Sequence, residues 1–316
     1  MPSAFKKVIL ASKQVSEKTG RNLFQVIADL VYSKLRYQCD IYDYTVGKFY
    51  RLSPKEREVF LTSGRTAPLY KRFNDRKSVP CVNNKSQFHQ LYKEVAKRAW
   101  IQCGESNKDQ VRAFIQQQGR VFAKPNIGTQ GFGIAILQAQ EVDEELLGKL
   151  CSHHYLLEEV VEQDERMSFG GKSVNTLRVY TVIDRQGRIE VIKALLRVGV
   201  GDSVVDNFHQ GGVVYPVDLS TGIVESMGSL SDFEPVILIH PGTQQSVVGF
   251  HVPRWDEVLS TVRKAASITP SLRYIGWDVA ITKTGIEIIE GNDMADMDLL
   301  HLIGHKVTLQ YLLDRA

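Results

Sequence analysis

The chain has 316 residues, of which 43% are hydrophobic and 24% charged, with a net charge of +3; this is an ordinary globular composition, long enough for two or three packed units. No apolar run approaches the ~20 residues of a bilayer crossing, and residues 1–20 are polar and lysine-bearing without a signal-peptide centre, so a cytoplasmic protein without a transmembrane segment is expected. Cys39, Cys81, Cys103 and Cys151 stand too far apart for a paired zinc site or a small disulfide scaffold, which leaves reduced structural thiols.

The charge is unevenly spread. Residues 1–120 hold 23 Lys and Arg against 10 Asp and Glu, a net of +13, and the remainder holds 16 against 26, a net of −10. A basic front end can meet an anionic partner such as a phosphorylated carrier, an acidic membrane surface in peripheral contact, or nucleic acid. It can equally dock on the acidic remainder, and that reading is preferred. Too few aromatics are placed to stack bases, so nucleic acid is not expected.

In chain order, residues 1–80 read as helices. Phe24, Val26, Ile27, Leu30, Val31 and Leu35 recur at spacings of three and four, which predicts a core-facing stripe. Ser53-Pro54 followed by Glu56 and Glu58 marks a helix start, with Ser53 as the cap. A further helical piece is expected from Ser86 to about Arg98.

From Arg120 the pattern changes to strands and turns: VFAKP, a glycine-rich loop, GIAILQA, a short helix, then YLLEEVV. LRVYTVID and IEVIKALLRVGV flank Arg185-Gln186-Gly187-Arg188 and predict an antiparallel hairpin with Gln186-Gly187 as its two-residue turn. That register puts Arg178, Lys193 and Arg197 on one sheet face, a surface that favours anions. GGVVYPVDLSTGIV adds strand, and Trp255 to Ala266 a helix. His301 and His305 share the segment HLIGH, which lacks the glutamate of a zinc-hydrolase helix, so packing or solvent exposure is expected of them.

The closing hairpin, YIGWDVAI and IEIIEGN, turns at Lys283-Thr284-Gly285, a three-residue loop ended by glycine. Pairing Thr282 with Ile286 carries outward to Ala280 with Ile288, Asp278 with Glu290 and Gly276 with Asn292, all on one face. Two carboxylates set level on adjacent strands repel unless a positive charge lies between them. Magnesium, held by one or two carboxylates and a nucleotide's phosphates with Asn292 adding a neutral oxygen, meets that need. Separate arginines on Asp278 and Glu290 meet it too, and both readings stand at this point.

Lys124-Pro125 ends a strand and leads into Asn126-Ile127-Gly128-Thr129-Gln130-Gly131-Phe132-Gly133. A loop so poor in Cβ atoms can fold its N–H groups over phosphate oxygens beside the Lys124 charge. It has neither the Gly-Lys-Ser/Thr ending of a P-loop nor the following helix of a dinucleotide fingerprint.

The order of these features, lysine and glycine loop, then LLEEVV, then arginines, then Asp…Glu-x-Asn, resembles the ATP-grasp superfamily. SVNTLRVYTV, DNFHQGG and GWDVAIT…GIEIIEGN are similar to its sugar-transfer associated family, over about Asn84 to His301. The resemblance implies an α+β ATP-grasp fold whose two subdomains, 81–162 with the glycine lid and 163–316 with the magnesium site, enclose ATP behind a helical region 1–80. Lys85 and Lys124 would lie on phosphate oxygens, with Gly128, Thr129, Gln130, Gly131 and Gly133 as lid. Glu158, Glu159 and Val161 match the adenine-edge segment, with Gln163 or Asp164 near the ribose. Arg178 and Arg197, with Lys193 beside them, match positions near the triphosphate or acceptor, and Asp278, Glu290 and Asn292 match the ligands of magnesium, or manganese in its place. Asn175, Asn207, His209, Gly211 and Gly212 fall in segments assigned to the acceptor side.

The activity so implied is an ATP-dependent ligase that activates a small-molecule or glycan-linked carboxylate as its acyl phosphate and joins it to an amine, in glycan or secondary-metabolite synthesis. A kinase acting on a small-molecule or sugar hydroxyl, and a non-catalytic nucleotide-binding protein with a basic front end, are the alternatives. The helical front departs from the Rossmann-like domain many superfamily members carry, so substrate choice is not readable by analogy.

Overall fold

The computed structural model describes residues 4–127, 133–169, 174–199, 212–229, 235–237, 239, 244, 246–302 and 307–316. Its first part is helical: α1 (Ala4–Thr19), α2 (Leu23–Tyr37), α3 (Ile41–Thr45), α4 (Pro54–Val59), α5 (Ser63–Phe73), α6 (Pro80–Asn83) and α7 (Lys85–Leu91). Local chemistry sets several of their starts. Asn22 accepts from the Phe24 N–H, Asp40 and Asp43 form a reciprocal box around α3, and Ser53 and Glu56 do so around α4, each satisfying N–H groups that a helix start leaves unpaired. The piece expected to run from Ser86 to Arg98 stops at Leu91, and Arg98 stands outside it.

Residues from α1 to the end of α4 build their own core, with Val15, Val26, Leu30, Tyr37, Tyr44, Phe49 and Phe60 buried together. The apolar stripe read on α2 is split by this packing. Val26 and Leu30 turn inward with Ser33 and Tyr37, whereas Phe24, Val31 and Leu35 are exposed. α2 is apolar on two opposite faces, and sequence spacing cannot say which one the tertiary fold covers.

Among the described residues the strands form two sheets. The smaller comprises β1 (Trp100–Gln102), β2 (Arg120–Pro125), β3 (Ala135–Gln138) and β4 (Tyr155–Glu159), in the order β1-β4-β2-β3, with every neighbouring pair antiparallel. α8 (Lys108–Gln118) and α9 (Glu144–Ser152) cover it, and Val111, Ile115, Leu147 and Leu150 bury against Val121, Ala123 and Leu157.

The larger sheet contains β5 (Thr176–Ile183), β6 (Ile189–Val198), β7 (Val213–Pro216), β8 (Gly228–Ser229), β9 (Pro235–Ile237), β10 (Tyr274–Ile281) and β11 (Ile286–Asn292), in the order β11-β10-β5-β6-β7-β8-β9. α10 (Trp255–Ile268) packs on the face carrying Leu177, Val179, Ala194 and Leu196. The opposite face, with Tyr180, Leu195 and Tyr274, receives Leu69 and Phe73 of α5, Leu300 of α11 (Asp298–Leu302) and Leu312 of α12 (Leu309–Arg315). Asn74 fastens α5 to β10, donating to the carbonyls of Tyr274 and Asp293 and accepting from the Tyr274 N–H.

All four cysteines are free. His301 is buried against Phe60, with Nδ1 3.3 Å from the Val307 carbonyl, so it packs; His305 lies outside the described residues. No helix of the described chain is long and apolar enough to cross a membrane.

Candidate active site

Around the closing hairpin the observed register is Gly276 with Asn292, Trp277 with Gly291 and Asp278 with Glu290, then Val279 with Ile288, Ala280 with Glu287 and Ile281 with Ile286. The inner pairs Thr282/Ile286 and Ala280/Ile288 are therefore corrected by one residue. The turn is closed by the Thr282 N–H donating to the Gly285 carbonyl, and a bulge at Ile289 absorbs the offset. Asp278 and Glu290 emerge level despite the different turn.

The middle hairpin behaves similarly. Its loop is wider than Gln186-Gly187: the Asp184 carboxylate accepts from the N–H groups of Gln186 and Arg188, and Ile183 pairs with Ile189. A bulge at Ile192 then restores Tyr180 opposite Lys193, Arg178 opposite Leu195 and Thr176 opposite Arg197. Arg178, Lys193 and Arg197 thus share a face, and β5 pairs with β10 so that Arg178 sits beside Asp278.

Arg178 Nε lies 2.5 Å from Asp278 Oδ1 and Arg178 Nη2 3.2 Å from Oδ2, while Arg197 Nη2 lies 2.9 Å from Oδ2. Thr176 Oγ1 accepts from both Nε and Nη2 of Arg197 and orients it. Burial pushes the Asp278 carboxyl upward, but the two guanidiniums outweigh it and hold the group below the usual carboxylate range. Both guanidiniums act on Asp278, so separate arginines on each acid is not what the hairpin does.

Glu290 differs from its neighbour. Burial and then the negative charge of Asp278 raise its carboxyl, although Lys124, Arg178 and Arg197 oppose them. Its Oε1 is 3.4 Å from Asn292 Nδ2. Asn292 faces Gly276, where a Cβ would come within 2.5 Å of the Ala295 Cβ and 3.1 Å of Arg178 Cδ. Glu290 and Asn292 suit a divalent cation, because a carboxylate destabilised by a neighbouring anion gains most from one. Asp278, with both oxygens on arginines, fits less directly. Among the described residues no group of three or more His, Cys, Asp and Glu is clustered for a metal, so phosphate or water oxygens would have to complete such a site.

The small sheet supplies the opposing side. Lys124, buried on β2, reaches Glu158 Oε1 at 2.6 Å. The same oxygen receives Arg98 Nη2 at 3.1 Å and His89 Nε2 at 2.5 Å. Burial lowers the His89 pKa despite that bond, so the ring is neutral at neutral pH with Nε2–H as donor, and its Nδ1 has no partner. Burial lowers the Lys124 pKa, and the Glu158 carboxyl is held well below its usual value against its own burial by Arg98 and Lys124. The Glu158 side chain is thus held in a charge network inside the protein.

Arg98 was missed from sequence because it follows no motif. It joins the sheets: Nη1 donates to Glu287 Oε1 and the Ile288 carbonyl, and Nη2 to Glu158 and the carbonyl of the bulged Ile289. Glu287 also accepts from the N–H groups of Lys97 and Arg98. Lys85 opens α7, whose first turn is seated on Asn126: the Lys85 N–H donates to its carbonyl and the Ser86 N–H to its side chain. Burial and then Lys124 lower the Lys85 pKa, while Glu290 and Glu158 act the other way. The Glu290 charge thus favours the protonated form of both Lys85, at the start of α7, and Lys124, on β2.

The other predicted positions are more scattered. Glu159 accepts from the Ala99 N–H, and Val161 is half-buried beyond β4. Gln163 accepts from the Asn175 N–H and pairs with Thr282, and Asp164 binds Arg166. Asn175 spends its amide on backbone, donating to the Met167 carbonyl and accepting from the Gly199 N–H, which makes it a loop brace. Burial lowers the Lys193 pKa to about 8. Gly212 is buried before β7, and Gly133 takes φ +73°. Gly128, Thr129, Gln130, Gly131, Asn207, His209 and Gly211 lie outside the described residues.

Two sheets meeting over lysines on one side and an Asp, Glu and Asn hairpin on the other define the ATP-grasp class. The family model of the sugar-transfer associated ATP-grasp proteins matches residues 64–313, and the chain belongs to that family. Among solved structures it is similar to the ATP-grasp ligase PsnB complexed with a precursor peptide and AMPPNP (15% identity, TM-score 0.48, covering 76% of this chain and 61% of that one). It is also similar to D-alanyl-alanine synthetase A from Vibrio cholerae (12%, 0.44, 79% and 72%). A third such structure is N5-carboxyaminoimidazole ribonucleotide synthetase from Thermotoga maritima (13%, 0.39, 69% and 43%). Against other PsnB complexes the chain spans little more than half of their length. No curated protein matches.

Proposed function

We propose that the chain is an ATP- and magnesium-dependent ligase that activates a carboxylate and joins it to an amine. The observation that carries this reading is the Arg178–Asp278–Arg197 group set level with Glu290 on the closing hairpin, joined through Arg98 to the buried Lys124–Glu158 pair of the small sheet. Such a seam offers positive charge to phosphate oxygens and, at Glu290 and Asn292, oxygen ligands to the cation that accompanies them.

In the reaction, a substrate carboxylate oxygen attacks the γ-phosphorus of ATP, the bond to the β,γ-bridging oxygen breaks, and ADP leaves with its electron pair. Arg178 and Arg197 stabilise the charge on the transferred group. An amine then attacks the acyl carbon, inorganic phosphate departs and the ammonium proton is lost, giving an amide. The protein's part is orientation and charge, and no side-chain nucleophile is needed.

Directly downstream of Asn292, a cavity of about 660 Å³ is lined by Tyr42, Ser63, Thr66, Tyr70, Asp296 and Asp298 among others. Its two carboxylates suit a cationic amine, and the family description supports an acceptor tied to glycan synthesis.

The test is incubation with ATP, magnesium and a panel of carboxylates in the presence of hydroxylamine. A hydroxamate together with ADP is the expected product. A stable phosphorylated alcohol would assign a kinase, and no nucleotide consumption with any acceptor would remove the enzymatic reading.

A further inference from the structure

α2 is apolar on the side turned away from its own core. Phe24, Val31 and Leu35 lie at spacings of seven and four along that side and are 79%, 45% and 80% exposed, with Tyr32 at its border. On α1, Phe5 and Leu10 are exposed too. Scattered apolar side chains on a surface need no explanation, but a continuous stripe on one helix marks an interaction face.

The charge around the stripe says what covers it. Between residues 4 and 37 there are seven Lys and Arg against two Asp and Glu, a net of +5. Lys7, Lys13, Lys18 and Lys34 are exposed, and one of the two acids, Asp29, is turned inward to Arg57 and Tyr44. A symmetric contact with a second copy would set +5 against +5. An exposed row of Phe, Val and Leu on a helix pair of net positive charge has the chemistry of a surface lying in a bilayer interface, its apolar side among acyl chains and its cations on anionic headgroups.

We infer that α1 and α2 form a docking surface for an anionic lipid bilayer, holding the enzyme peripherally at a membrane. Neither the ligase reading nor the site residues enter this inference.

The experiment is co-sedimentation of the full chain with phosphatidylcholine vesicles, with and without phosphatidylserine, at low and high salt. The wild type is expected to pellet with the serine-containing vesicles, to stay in solution with pure phosphatidylcholine, and to be weakened by salt. Phe24→Ser/Leu35→Ser, and separately Lys7→Gln/Lys13→Gln/Lys18→Gln/Lys34→Gln, are each expected to lower the partition coefficient by roughly tenfold or more, with circular dichroism and melting unchanged. Equal binding to neutral and anionic vesicles, no binding to either, or full binding by the serine double variant would overturn the inference. So would light scattering that shows a wild-type dimer converted to monomer by that variant, since a second copy would then be the occupant.

Discussion

Arg98 donates to Glu158 at 3.1 Å across the seam between the two sheets, and its other terminal nitrogen donates to Glu287 at 2.9 Å. One buried guanidinium thereby fixes β4 of the small sheet relative to the bulge in β11 of the large one. The bulge is what brings Glu290 level with Asp278, so Arg98 is a positioning residue for the acidic pair.

Arg98→Met should therefore cost about 3–5 kcal/mol of stability, because it takes the guanidinium from buried Glu287 and leaves Glu158 with Lys124 and His89. Arg98→Lys should recover only part of this, since an ammonium lacks the planar fork that spans both acids. Denaturant titration of the three proteins checks the order; equal midpoints would remove Arg98 from its bridging role.

Asp278 and Glu290 should separate in stability while agreeing in activity. Asp278→Asn leaves two buried guanidiniums short of an anion and should cost about 3 kcal/mol. Glu290→Gln removes a carboxylate whose pKa is raised, a group that destabilises the folded state as pH rises above the ordinary carboxylate value. Its stability at pH 7 should be unchanged or higher. Both variants should abolish ADP formation, read by a coupled assay beside thermal melts.

Lys193 provides a pH signature. Its folded pKa of about 8 lies below the ~10.4 of a free lysine, so between those values the unfolded chain binds more protons and stability rises with pH. Lys193→Met should remove that rise and stabilise the protein at pH 7 by about 3 kcal/mol. Unfolding midpoints from pH 7 to 10.5 provide the comparison.

Gly276 tests the packing beneath the site. An added methyl at 2.5 Å from the Ala295 Cβ and 3.1 Å from Arg178 Cδ must displace the segment after Asn292 or the arginine. Gly276→Ala should cost about 1–3 kcal/mol and weaken magnesium-ATP binding measured by calorimetry, whereas Gly148→Ala, with open space around its Cβ, should leave binding unchanged.

The sequence by itself determined the hairpins and the side-chain alternation that sets Asp278 against Glu290 and groups Arg178, Lys193 and Arg197. Strand periodicity and turn glycines are local properties, and they survived two misread turns because bulges at Ile192 and Ile289 returned the strands to register. Tertiary structure alone decided the rest. Whether Asp278 meets a cation or an arginine depends on β5 lying beside β10, a pairing between residues 100 apart. Likewise, which side of α2 is buried, and that Glu158 binds His89, Arg98 and Lys124, follow from contacts between distant segments. Burial and charge pairing are settled by what the folded chain brings near, and no spacing within one segment encodes that.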